Sequence, residues 1–92
     1  MIRRRLVVTG KVQGVFYRAW FAEQARSLGL AGWVRNRADG SVEAVVEGAV
    51  ERVEEAIERA RQGSPTSRVA DVQVSDDAPA EPLAGFVTQP TL

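Results

Sequence analysis

At 92 residues the chain has the length of one domain spanning residues 1–92 and is too short for two. It contains no cysteine and no histidine, which excludes disulfides, thiolate chemistry, the commonest general base and the commonest metal ligand. Twelve basic and twelve acidic side chains cancel, which argues against a nucleic-acid binder built on basic excess, and no segment has membrane-spanning length.

The chain opens with Arg3-Arg4-Arg5, but the apolar run that follows is too short for a secretory signal, and Lys11, Gln13 and Arg18 soon interrupt it. A cytoplasmic location is expected. Residues 3–9 read as a strand, with Leu6 and Val8 on one face and Val7 and Thr9 on the other. Residues 10–14 break it between Gly10 and Gly14. Residues 19–28 read as a helix with Phe21, Ala25 and Leu28 in one apolar stripe, stopped at Gly29. Residues 30–36 form a second strand and residues 41–47 a third. The Asp39-Gly40 turn between them makes the pair a hairpin. In the third strand Val42, Ala44 and Val46 alternate with Glu43, Val45 and Glu47.

Residues 50–61 read as a second helix. Val50, Val53, Ile57 and Ala60 share one face, and Glu51, Arg52, Glu54, Glu55, Glu58 and Arg59 cover the rest. Gly63 and Pro65 end it. Residues 69–74 are a fourth strand with Ala70, Val72 and Val74 on one face. Residues 76–83 read as a loop, residues 86–88 as a short last strand, and the final four residues as loosely held. The order β-α-β-β-α-β, with both helices needing a sheet face to cover, predicts an α+β fold. It is a ferredoxin-like split β-α-β sandwich: a mainly antiparallel sheet, two helices on one face and a short fifth strand. That fold alone decides no function.

The informative segment is Gly10-Lys11-Val12-Gln13-Gly14-Val15-Phe16-Tyr17-Arg18, between a strand and a helix start. Glycines let such a loop curl so that consecutive N–H groups point inward as an anion-binding nest, and a helix N-terminus adds positive potential. Arg18 contributes a planar fork that binds two phosphate oxygens at once. The spacing matches neither the nucleotide P-loop nor the dinucleotide-binding pattern. From the residues alone, a tight turn with a solvated arginine remains the alternative.

The same segment resembles the first signature of the acylphosphatase family, G-x-V-Q-G-V-x-[FY]-R, at every position. Gly32-Trp33-Val34-Arg35-Asn36, followed by Asp39-Gly40-Ser41-Val42-Glu43, resembles its second. Gly63-Ser64-Pro65 with Arg68-Val69, and later Gly85-Phe86, resemble its remaining segments in order, so the resemblance covers nearly the whole chain.

The resemblance implies a ferredoxin-like fold and hydrolysis of the carboxyl-phosphate anhydride of acyl phosphates to a carboxylate and inorganic phosphate. It implies that Arg18 binds the substrate phosphate and that Asn36 positions the attacking water. The backbone amides of Gln13, Gly14, Val15, Phe16, Tyr17 and Arg18 would complete the cradle. It implies no cofactor, no metal, and no nucleic-acid or membrane partner. The family often carries a hydroxyl residue directly after the asparagine, where this chain has Arg37.

Other conspicuous residues have plainer readings. The helical glutamates form a solvated face with pairs such as Glu55 and Arg59. Trp20 and Trp33 pack in or beside the core. Arg35 and Arg37 alternate away from Asn36 and are solvated, and Tyr17 contributes its N–H rather than its hydroxyl. A nucleic-acid module on this fold needs stacking aromatics where the first and third strands offer Val7, Thr9, Glu43 and Val45. An anion-binding domain without turnover is the other rival, and acylphosphatase-like domains also occur within larger maturation proteins. With nothing attached beyond residue 92, a free-standing monomeric enzyme is the expectation.

Overall fold

A computed structural model of the protein describes residues 1–76 and 82–91. Among them the chain forms β1 (Ile2–Lys11), α1 (Tyr17–Ser27), β2 (Ala31–Asn36), β3 (Val42–Gly48), α2 (Val50–Gln62), β4 (Arg68–Asp76) and β5 (Phe86–Thr88). The sheet order is β4-β1-β3-β2-β5. β3 pairs antiparallel with its hairpin partner β2 on one side and with β1 on the other, so β1 and β2 run the same way with β3 between them. That is the split β-α-β arrangement expected from the element order. β5 extends the sheet parallel to β2, which makes the sheet mixed.

Alternation determines what each strand buries. Leu6, Val8, Val34, Val42, Ala44, Val46 and Phe86 join Phe21 and Ala25 of α1 and Val53 and Ala60 of α2 in one core. Full burial of a side chain such as Leu6 or Phe21 contributes about 1.5–3 kcal/mol. The expected stripe Phe21, Ala25, Leu28 is buried, and the helix starts earlier than residue 19. Tyr17 lies four positions before Phe21, is 1 % exposed, and continues the same stripe, so burial rather than glycine spacing sets the helix start.

Four other expectations change. Val50 is half-exposed at the first position of α2, and Ala56 takes its place on the buried face with Val53, Ile57 and Ala60. β4 continues to Asp76, because Arg4 and Arg5 of β1 pair with Asp76 and Ser75. Of the rest of the expected loop, residues 77–81 lie outside the described residues, and residues 82–83 are irregular as expected. Gln89 belongs to no loose tail: its N–H donates to the Val34 carbonyl at 2.9 Å. In central β3 the expected polar side is covered as well, with Glu43 4 % and Val45 2 % exposed. The cover on Glu43 is a pair of arginines from neighbouring strands, Arg5 and Arg35.

Candidate active site

The loop after β1 is shaped by its backbone. At Gly10 the register between β1 and β4 shifts, φ is +118°, and a side chain would collide with the Arg68 carbonyl oxygen and the Ala70 nitrogen. Only glycine passes there. Further on, φ is +73° at Gly14 and +61° at Phe16, with Val15 between them outside the positive range. Alternating signs of this kind turn successive N–H groups towards one point, which is a nest. Among the described residues, no backbone N–H from Gln13 to Arg18 donates to a protein acceptor. The Phe16 carbonyl accepts the first bond of α1, from the Trp20 N–H at 3.1 Å, and no side chain caps that end. Unpaired donors and the positive end of α1 therefore coincide.

Four hydrogen bonds from three side chains hold the loop in place. The Gln13 amide donates to the carbonyls of Arg37 at 2.8 Å and Ser41 at 2.9 Å, on the β2–β3 hairpin. The Thr66 hydroxyl donates to the Val15 carbonyl at 3.0 Å. The buried Tyr17 hydroxyl donates to the Ala60 carbonyl at 2.9 Å, satisfying an acceptor in the last turn of α2. Burial pushes the Tyr17 phenol well above its ordinary pKa, so it stays neutral at any working pH.

Beside the loop lies an open cavity of about 350 Å³, lined by Gly14, Phe16, Tyr17 and Arg18 from the loop and helix start, and by Asn36 and Thr88 from strand ends. Arg18 makes no ion pair among the described residues. Asn36 ends β2, and its Oδ1 is buried with no hydrogen-bond partner among the described residues. A buried amide oxygen without a donor costs about 1–3 kcal/mol, and a bound water would supply that donor.

The cavity thus brings Arg18 and Asn36 together with part of the loop. Gln13 and Val15 do not line it, and Gln13 uses its side chain to brace the hairpin. Thr88 is a residue that sequence reasoning missed. The alternation of β5 was the available signal, since Phe86 faces the helices and Thr88, two positions on, shares that face. Arg37 does not line the cavity, and Thr88 is a hydroxyl residue that does.

Several charges outside the cavity are paired. Arg35 is not solvated as expected. Its guanidinium lies 4.6 Å from the Trp33 ring centroid and donates to Glu43 Oε1 at 2.8 Å, while Arg5 donates to Oε2 at 2.5 Å. Burial alone would raise the Glu43 pKa. The two arginine hydrogen bonds and charges outweigh it and hold the carboxylate below the usual range. Trp33 therefore lies under Arg35 on the open sheet face, whereas Trp20 packs against the core as expected. The Glu55–Arg59 pair forms at 2.9 Å. Asp39 accepts from the Ser41 hydroxyl and N–H, and these bonds lower its pKa and fix the hairpin turn next to Asn36.

A ferredoxin-like sandwich with an open nest before its first helix is the architecture of a small α/β domain with unpaired N–H donors at a strand–helix junction. The model of the acylphosphatase family matches residues 4–88. A protein named acylphosphatase from Rhizorhabdus wittichii is 59% identical over 91 residues, covering 99% of this chain and 91% of the relative. The crystal structure of acylphosphatase from Bacillus subtilis superposes with a TM-score of 0.91 at 37% identity, covering 97% of this chain and 99% of that one. An acylphosphatase structure from Coxiella burnetii gives 0.90 at 32% identity, covering 96% and 92%. The chain belongs to the acylphosphatase family, hydrolases that act on acid anhydrides.

Proposed function

We propose that the protein hydrolyses acyl phosphates by direct attack of water on phosphorus, as a cytoplasmic monomer without cofactor or metal. The observation that carries this reading is one cavity lined by Gly14, Phe16, Tyr17 and Arg18, whose backbone N–H groups and guanidinium have no partner among the described residues, and by Asn36, whose Oδ1 is orphaned among them.

The amides of residues 13–18 and the Arg18 fork receive the phosphate oxygens. In phosphoryl transfer the negative charge spreads over those oxygens, so fixed donors stabilise the transition state without moving a proton. Asn36 Oδ1 accepts one hydrogen of the water and so aims its lone pair at phosphorus. An amide is too weak a base to take that proton, and a phosphate oxygen of the substrate receives it instead. As the water oxygen bonds to phosphorus, the bond from phosphorus to the acyl oxygen breaks and its electron pair leaves on the carboxylate. A carboxylate is stable without protonation, which suits a site with no histidine. No phosphorylated side chain forms.

The test is release of inorganic phosphate from acetyl phosphate, with chelator present, by wild type, Arg18→Ala and Asn36→Ala. Arg18→Ala is expected to lose at least about a hundredfold in kcat/KM and to weaken inhibition by inorganic phosphate. Asn36→Ala is expected to lose turnover far more than phosphate affinity. Folded wild-type protein that binds phosphate without turnover would instead make this an anion-binding domain.

A further inference from the structure

Phe16 combines two unfavourable features, of which the phosphate cradle requires only one. Its neighbours are anchored inward: Val15 packs against the core and Tyr17 is buried. Phe16 itself is 86 % exposed, although its ring is the kind of surface a soluble protein normally covers. Its backbone is also left-handed, at φ +61°, where a residue with a Cβ is strained and glycine is not. Glycine already serves that purpose two positions earlier, at Gly14. The nest therefore needs a positive φ at residue 16, and it does not need an aromatic ring there.

The ring does, however, line the cavity. Ala19, three positions on and on the same side of the helix, lines it too, so the two form an apolar lip next to the anion donors. An acyl phosphate delivers its carbonyl carbon one oxygen away from phosphorus. With phosphorus held by the amide of residue 16 and its neighbours, the acyl group has to begin within a few bonds of this ring.

Building on the reading of the site as an acyl-phosphate hydrolase, we infer that the Phe16 ring is the acyl-group subsite and selects aromatic or extended apolar acyl phosphates over acetyl phosphate. Stacking or apolar contact with the ring would remove both the acyl group and the ring from water, which a methyl group does only slightly.

The experiment compares kcat/KM for benzoyl phosphate with that for acetyl phosphate in wild type, Phe16→Gly and Phe16→Tyr. Phe16→Gly keeps the left-handed backbone accessible while removing the ring, and Phe16→Tyr keeps the ring. The benzoyl-to-acetyl ratio is expected to fall about tenfold in Phe16→Gly, chiefly through KM for benzoyl phosphate, and to be retained in Phe16→Tyr. A ratio that stays at the wild-type value in Phe16→Gly would overturn the inference, because both substrates then respond only to loop shape. If wild type hydrolyses neither substrate, the acyl-phosphate reading itself fails, an outcome separate from an insensitive ratio.

Discussion

The Gln13 side-chain amide donates to the carbonyl of Arg37 at 2.8 Å, the residue directly after Asn36. A second bond from the same nitrogen reaches Ser41 across the turn. One side chain thus fixes the start of the loop after β1 to the hairpin that carries the proposed water-positioning amide. Gln13→Ala is expected to lower kcat about tenfold, since small misplacements between reacting groups are costly. The smaller change should be in KM, and a denaturation midpoint near wild type would separate positioning from unfolding. A kcat equal to wild type would show that the brace is dispensable.

Tyr17→Phe removes the hydroxyl that satisfies the Ala60 carbonyl and leaves the stacked contact with Phe21, whose ring centroid lies 6.3 Å away. The expected cost is about 1–2 kcal/mol of stability, read from urea unfolding. Activity of the folded fraction should change much less, because the hydroxyl points away from the cavity into α2.

Glu43 lies 4 % exposed between Arg5 and Arg35, with its folded pKa below the ordinary value. Its contribution to stability is complete above the unfolded carboxylate pKa of about 4.3 and is lost as pH falls through the lower folded value. Asp39 shifts in the same direction. Wild type should therefore lose stability on acidification below about pH 4. Glu43→Gln should be less stable than wild type near neutrality by about 2 kcal/mol, and that gap should narrow in acid. Urea titrations at neutral and acidic pH read both quantities, and a constant gap would remove Glu43 from the acid response.

Gly10→Ala places a methyl group against the β4 backbone at a positive φ. The expected loss is about 3 kcal/mol, with the loop displaced as well as the fold weakened. Thermal unfolding and phosphate inhibition should shift together. A variant of unchanged stability would contradict the close approach of β1 and β4.

What the sequence made legible follows from period and glycine placement. The alternation Leu6/Val8 and Val42/Ala44/Val46 identified the buried sheet face, and Phe21/Ala25/Leu28 identified the face of α1. Gly10 and Gly14 marked the loop. What stayed hidden depended on pairs distant in sequence. Nothing near Glu43 announces that Arg5 will meet it from a neighbouring strand, and nothing near Tyr17 announces the Ala60 carbonyl. Val50 looked apolar enough to be buried, yet it occupies the exposed first turn of α2. Thr88 joins the cavity only because β5 runs parallel beside β2, with Val34 opposite Thr88.

The central claim is that water attacks phosphorus in the Arg18–Asn36 cavity. Turnover of acetyl phosphate in water carrying the heavy oxygen isotope tests it most directly, with the label traced into both products. The account predicts label in inorganic phosphate and none in acetate beyond the uncatalysed background. Label arriving in acetate would mean that the carbonyl carbon is attacked, and would contradict both the role given to Asn36 and the use of the loop as a phosphoryl-transfer cradle.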